Sequence, residues 1–312
     1  MAVIAIIGAG IAGLSAARHL QASGHSCILF DKSRGLGGRM ATRRVENLQF
    51  DHGAQYFTAR SDAFRAQVEA WKAEGVVASW FEDACVGAPQ MTAPARALAA
   101  GMMVVSGCEV AKLERIATGW RINSQAGFVD ARGNGHYDAV VLAIPAPQAE
   151  RILQTSGFAL PELAHVRYAP CWAVMLGYDQ PLKMTQTHLR FESGDIAWIA
   201  RNRSKPGRSG GETLVVHAGP DWSRANLEMQ PEDALAALLP KIALLIGDDQ
   251  QPTYRAAHRW RFALVEESAG KPCLWDNELK LGACGDWCLG PRVECAFESG
   301  LSIAQTIIDA HV

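Results

Sequence analysis

The feature that most constrains this chain is Gly8-Ala9-Gly10-Ile11-Ala12-Gly13, set between a β-branched apolar run and an amphipathic segment. Ala2 to Ile7 reads as a strand that stops at Gly8, Ile11 to Leu20 carries apolar residues at helical spacing, and Ser26 to Phe30 is a second apolar run ending at Asp31. Strand, tight turn, helix and strand make a βαβ unit of the dinucleotide-binding kind. Gly8 permits the turn, Gly10 leaves room for a pyrophosphate, and Gly13 allows helix and strand to pack closely. Asp31 stands where an acid accepts hydrogen bonds from the adenosine ribose. A glycine-rich turn of structural role is the plain alternative.

With 312 residues, the chain has room for about two domains. Lys plus Arg (30) nearly balance Asp plus Glu (32), which excludes the broad basic face of a nucleic-acid binder. No leader-like start and no long apolar stretch is present, so the expectation is a soluble cytoplasmic protein, a monomer, with no membrane partner. The eight cysteines are scattered and expected to be reduced thiols. Cys284 and Cys288 are spaced C-x-x-x-C, which matches neither a C-x-x-C redox site nor a four-ligand zinc pattern, and no metal site is expected.

Further along, Ser61 to Glu74 reads as a helix with Phe64, Val68 and Trp71 on one face, whereas Phe50 to Phe57 is too polar for a core strand. Gly101 to Ala117, Trp120 to Ser124 and His136 to Pro145 read as strands, the last ended by Pro145 and Pro147. Strand-like stretches at Cys171 to Tyr178, Asp195 to Ala200 and Thr213 to Ala218 precede a helix near Pro231 to Ile246, and Arg203 to Glu212 is a loop. Leu279 to Cys284 is a short strand, Gly285 to Pro291 a turn, and Glu294 to Ala310 a helix with small residues on its inner face.

The segment Asp31-Lys32-Ser33-Arg34-Gly35-Leu36-Gly37-Gly38-Arg39 resembles the second phosphate motif of the amine-oxidase-like flavoproteins, where this loop follows the pyrophosphate of FAD. Gly285-Asp286, followed by Val293-Glu294 at the start of the last helix, resembles their carboxy-terminal flavin motif. Within that superfamily, Asp51-His52-Gly53-Ala54-Gln55-Tyr56-Phe57-Thr58-Ala59-Arg60, the string Trp198 to Arg208, His258-Arg259-Trp260-Arg261 and Cys284 to Cys288 are similar to the bacterial renalases, over essentially the whole chain.

The resemblance implies an α/β fold: a Rossmann-type FAD-binding domain built from both termini (1–58, 92–148 and 272–312) with an inserted α+β substrate domain of mixed or antiparallel sheet plus helices (59–91 and 149–271). It implies non-covalent FAD contacted by Gly8, Gly10, Ile11, Ala12, Gly13, Asp31, Lys32, Arg34, Gly38, Arg39, Met40, Ala54, Gln55, Tyr56, Phe57, Val110, Gly285, Asp286, Val293 and Glu294, with Arg34 and Arg39 neutralising phosphate and Asp286 holding the ribitol. It implies oxidation of mis-reduced nicotinamide dinucleotides, the 1,2- and 1,6-dihydro isomers of NAD(P)H, to NAD(P)+, with dioxygen reduced to hydrogen peroxide. Hydride loss from a dihydropyridine restores an aromatic ring and needs no base, so flavin and geometry suffice. Substrate contacts are expected from Trp198, Arg201, Asn202, Trp222, His258, Trp260 and Trp287, the tryptophans as ring walls and the arginine, with Arg203, Lys205 and Arg208, as a pyrophosphate clamp. A core role for each tryptophan, a core contact for His258, a turn role for Asn202 and a solvated loop for the cations are the alternatives.

One departure stands out: Trp80 to Met91 is shorter than the corresponding family hairpin, which leaves closure of the pocket open on that side. A flavin amine oxidase or desaturase is the rival reading. Such enzymes often carry a lysine near flavin N5, and Lys183, Lys205, Lys271 and Lys280 all sit in or beside loops and turns. A flavin-binding redox protein without turnover is a third.

Overall fold

Val3 to Ile7 is apolar on both faces and, after Val3, buried throughout, the signature of a strand inside a parallel sheet. The computed structural model describes residues 1–129 and 135–312. Its first half runs β1 (Val3–Ile7), α1 (Ile11–Ala22), β2 (Ser26–Asp31), β3 (Thr42–Val45), β4 (Leu48–Asp51), α2 (Asp62–Ala73), β5 (Val77–Phe81), β6 (Ala84–Gly87), α3 (Ala93–Ala99), β7 (Met103–Ser106), β8 (Val110–Ile116), β9 (Gly119–Ser124), β10 (Gly127–Phe128) and β11 (Ala139–Leu142). The second half runs α4 (Ala146–Ser156), β12 (Arg167–Tyr178), β13 (His188–Arg190), β14 (Ile196–Arg201), β15 (Glu212–Ala218), α5 (Pro220–Ala225), α6 (Pro231–Ile246), β16 (Tyr254–Glu267), β17 (Leu274–Asp276), β18 (Leu281–Ala283) and α7 (Val293–Asp309).

A six-stranded sheet has the order β17-β18-β11-β1-β2-β7, parallel except for β17. It is the expected Rossmann-like sheet drawn from both ends of the chain. A separate antiparallel hairpin set, β8-β9-β10, hangs beside it. The last helix crosses the first so closely that a Cβ on Gly300 would overlap the carbonyl oxygen of Ala12 and press on Ser15. Gly300→Ala is therefore expected to cost about 2 kcal/mol through overpacking, read as a lowered urea midpoint at unchanged slope.

The second sheet is antiparallel, in the order β13-β14-β15-β12-β16. Strand alternation divides it into two faces. Trp172, Val174, Leu176, Leu214 and Val216 lie against Ala234, Leu238, Ile242 and Ile246 of α6. The opposite face carries Met175 and Val215, which pack on Phe50 of the β3-β4 hairpin.

That hairpin takes in only the first two residues of Phe50 to Phe57, and the rest forms no strand, as its polarity predicts. The segment is polar, yet Phe50 and Asp51 are fully buried, because Asp51 is neutralised by two cations within the fold. Pro145 and Pro147 end a strand as expected, and Pro147 lies in the first turn of α4, where a missing N–H costs nothing. All eight cysteines are free. Among the described residues no helix is long and apolar enough to cross a membrane, and no group of His, Cys, Asp and Glu is placed to hold a metal ion.

Candidate flavin and substrate site

The glycine turn ends β1, with Gly8 in a left-handed conformation (φ 111°) and its amide donating to Phe30 O at 2.7 Å. A Cβ on Gly13 would overlap the Gly8 carbonyl oxygen, whereas the position over Gly10 opens on free space. No side chain caps the first turn of α1, so the N–H groups of Ile11, Ala12 and Gly13 leave an anion site at that end. The Asp31 carboxylate accepts from Ala9 N at 2.8 Å and Ser33 N at 2.7 Å, which ties the turn to the loop behind β2. Gly37 N donates to Ala9 O at 2.9 Å and folds that loop back over the turn. Lys32 and Arg34 are exposed on it, and Met40 is buried at its end.

Arg39 joins the two glycine motifs. Its Nη2 donates to Asp286 Oδ1 at 2.6 Å, and its Nη1 approaches Phe262 O and Ala263 O at 3.4 and 3.3 Å. Its own carbonyl accepts from Ala54 N at 2.8 Å. Asp286 Oδ1 also accepts from Trp287 N at 2.9 Å, beside Gly285. Glu294, in the first turn of α7 after Val293, receives Arg60 N and Ser61 N at 2.6 and 2.7 Å. Burial alone would raise its carboxyl; those amides and Arg292 hold it below the usual range. Phe57 exchanges backbone bonds with Cys85, and Val110 is buried in the same cluster as Phe30. An open step over Gly10 and an uncapped helix start fit a flavin dinucleotide, whereas Arg39, expected at the phosphates, is held by Asp286 and two carbonyls.

The sheet face turned toward this cradle carries a row of rings. Trp198 is opposite His217, His217 opposite Ala173, and Ala173 opposite His258, so the four stand side by side across β14, β15, β12 and β16. His52 stacks on Trp260 with centroids 5.3 Å apart and meets His258 edge-on at 5.1 Å. The His52 carbonyl accepts from Trp260 Nε1 at 2.9 Å and lies 3.3 Å from His217 Nε2. Burial, then the neighbouring His258 and Arg43, pulls His52 down to about 4, and burial does the same to His217, again to about 4. The row is uncharged at neutral pH.

At its other end Trp198 stacks on His188 at 4.7 Å and faces Tyr56 and Phe81 at 5.5 and 6.2 Å, with Trp80 at 6.4 Å. Trp80 and Phe81 come from the short hairpin β5-β6, so that hairpin does reach the substrate sheet.

Beneath both groups lies a buried charge cluster. Arg208 Nη2 and Lys205 Nζ share Asp51 Oδ2 at 2.5 and 3.4 Å, while Oδ1 takes Thr42 Oγ1 at 2.6 Å and Met91 N at 3.2 Å. Lys205 Nζ also donates to Gln55 Oε1 at 3.2 Å, and Gln55 Nε2 lies 3.3 Å from His217 Nε2.

Of the residues expected at the substrate, Trp198, His258 and Trp260 share this face. Trp222 packs in the cluster under α6, on the far side of the sheet. Trp287 is fully buried, its indole donating to Ile144 O at 3.0 Å. Asn202 is buried too, its amide donating to Gln49 O at 2.9 Å. The expected clamp does not converge: Arg201 is engaged bidentately by Glu212 at 2.8 and 2.6 Å, and Lys205 and Arg208 are spent on Asp51. His52, His217, His188, Trp80, Phe81 and Asp51 join the site without having been expected there; Asp51 and His52 do stand in a string that carries the family resemblance, and His217 shows as a polar residue in an apolar strand.

Comparisons with known proteins agree with this layout. Residues 6–70 match the NAD(P)-binding Rossmann-like domain, and residues 70–308 match the flavin containing amine oxidoreductases. The chain belongs to the flavin containing amine oxidoreductase family, and its cofactor is FAD. An Exiguobacterium sp. 255-15 protein provisionally named protoporphyrinogen oxidase has the same fold over 98% of both chains, at 13% identity and a TM-score of 0.78. An engineered putrescine oxidase aligns over 99% of both at 14% identity and a TM-score of 0.69. A 4,4'-diapophytoene desaturase of Staphylococcus haemolyticus (strain JCSC1435) is 44% identical over 50 residues, 16% of this chain and 10% of that protein. The chain's match thus spans about a tenth of that curated relative's length.

Proposed function

We propose that this oxidoreductase oxidises 1,2- and 1,6-dihydro-NAD(P) to NAD(P)+, the renalase activity that its sequence resembles. The observation that carries the reading is the uncharged row Trp198, His217, Ala173, His258, with Trp260 and His52 against it. A dihydronicotinamide is a flat, neutral ring with one carboxamide. Ring walls hold it at low entropic cost, and neutral imidazoles offer hydrogen bonds to the carboxamide without charge. Bound FAD would supply the hydride acceptor and the redox link to dioxygen, whose two-electron reduction gives hydrogen peroxide. Trp198 and Trp260 orient the ring, His258 and His217 bind its amide, and Tyr56, Trp80 and Phe81 keep water from the reacting face.

The same proposal takes residues 1–58, 92–148 and 272–312 as the FAD-binding domain and 59–91 and 149–271 as the substrate domain. In support, every strand of the parallel sheet falls in the first set and every strand of the five-stranded sheet in the second. FAD is held non-covalently, by the residues named for it above, in a monomeric cytoplasmic protein.

A second reading, amine oxidation or desaturation, is favoured by one observation: Lys205 stands buried beside Gln55, not in a solvated loop. The deciding experiment mixes the yellow protein without oxygen with borohydride-reduced NAD+ isomers, with authentic NADH, or with an amine panel. Bleaching by the isomer mixture alone is expected. Bleaching by amines alone would transfer the assignment to the second reading, and no bleaching by any would overturn both.

A further inference from the structure

We propose that Lys205 makes the ring-binding face selective for uncharged rings and so speeds departure of the pyridinium product, an inference that rests on the dihydronicotinamide reading. The chemistry creates charge where none was. The C–H bond breaks, the hydride leaves with both electrons for flavin N5, and the neutral dihydropyridine becomes a pyridinium with one positive charge. A wall that carries a positive charge, as Lys205 does below the value of about 8 to which burial lowers it, tolerates the first ring and repels the second.

The charges around the row leave such an excess. Asp51 is one carboxylate facing two cations, Lys205 and Arg208, and all three side chains are at most 1% exposed. Glu212 is matched by Arg201. Arg43 adds a further positive charge near His52 and His258, and the histidines themselves are neutral. Lys205 is the buried cation linked to the row by hydrogen bonds: its ammonium donates to Gln55, whose amide lies 3.3 Å from His217, and it lies 5.2 Å from the Trp80 ring centroid. Buried away from water, this charge is screened little by salt.

Two ligands of nearly equal size separate the effect: NAD+, with its cationic ring, and the unreactive 1,4,5,6-tetrahydro-NAD, with a neutral one. Binding is followed by the change in flavin absorbance. Wild type is expected to hold the neutral ligand more tightly. Lys205→Met should tighten NAD+ about 6- to 16-fold and leave the neutral ligand unchanged, the range Coulomb repulsion gives over roughly 10 to 15 Å at an effective dielectric near 20. Lys205→Arg should restore the wild-type gap. An unchanged gap in Lys205→Met, or equal weakening of both ligands, overturns the inference. Wild-type measurements from about 0.05 to 0.5 M salt give a check that needs no variant: the gap persists for a buried charge and collapses for a surface one. Failure of the parent reading looks different, since then neither dinucleotide binds wild type.

Discussion

Asp51→Ala is expected to destabilise the protein by about 3 to 5 kcal/mol. The carboxylate is fully buried, and its removal strands Lys205 and Arg208 together in a region without water. Burial works against its charge, but Lys205 and Arg208 hold it ionised, well below the ordinary carboxylate range. The substitution also removes the acceptor for Thr42 Oγ1 and Met91 N. Urea unfolding checks the size of the loss. Adding Lys205→Met to Asp51→Ala should return part of it, because one stranded cation is then gone. A loss under about 1 kcal/mol for the single variant would mean that the cluster is hydrated and the charges are not buried in solution.

Acid is expected to act through the histidines. His52 and His217 titrate near 4 in the folded protein against an ordinary 6.5. Between those values the unfolded chain carries protons that the folded one refuses, so stability falls as pH drops from about 6.5 toward 4. Each tenfold loss of proton affinity corresponds to about 1.4 kcal/mol, which puts each histidine on the order of 3 kcal/mol. Carboxylates held low by cations lose stability over part of the same range, so the test is a difference. Unfolding free energies of wild type and His217→Gln, compared between pH 7 and 4.5, should converge toward the acid end. Parallel curves would refute the assignment.

The flavin half of the fold is legible in the sequence because its signals are local. A β-branched run, three spaced glycines, a helical period and a terminal acid all lie within the first thirty-one residues, and each enforces its own geometry. The substrate half is not, for two reasons. In β16, Tyr254 to Glu267, arginines alternate with apolar residues; two of them, Arg259 and Arg261, reach out to Glu228 from the edge of the sheet, and the pattern reads as a charged motif more readily than as a fourteen-residue strand. The buried cluster is harder still. Lys205 and Asp51 stand 154 positions apart, each in a segment that looks solvated until the other is brought to it. Trp222 and Trp287 fall outside the ring row because of where their own elements pack: Trp222 sits on α5, against the α6 side of the sheet, and Trp287, in the turn after β18, is buried with Phe30 and Trp120.

The contacts of Arg39 with Asp286, and of Ala12 with Gly300, bear on biosynthesis. A nascent chain that has emerged through β2 already displays the glycine turn, but β18 and α7, which complete the cradle, are translated only after the whole five-stranded sheet. While that sheet is being made, the emerging polypeptide holds half a receptor for its cofactor. Flavin capture therefore has to wait for β18 and α7 to emerge.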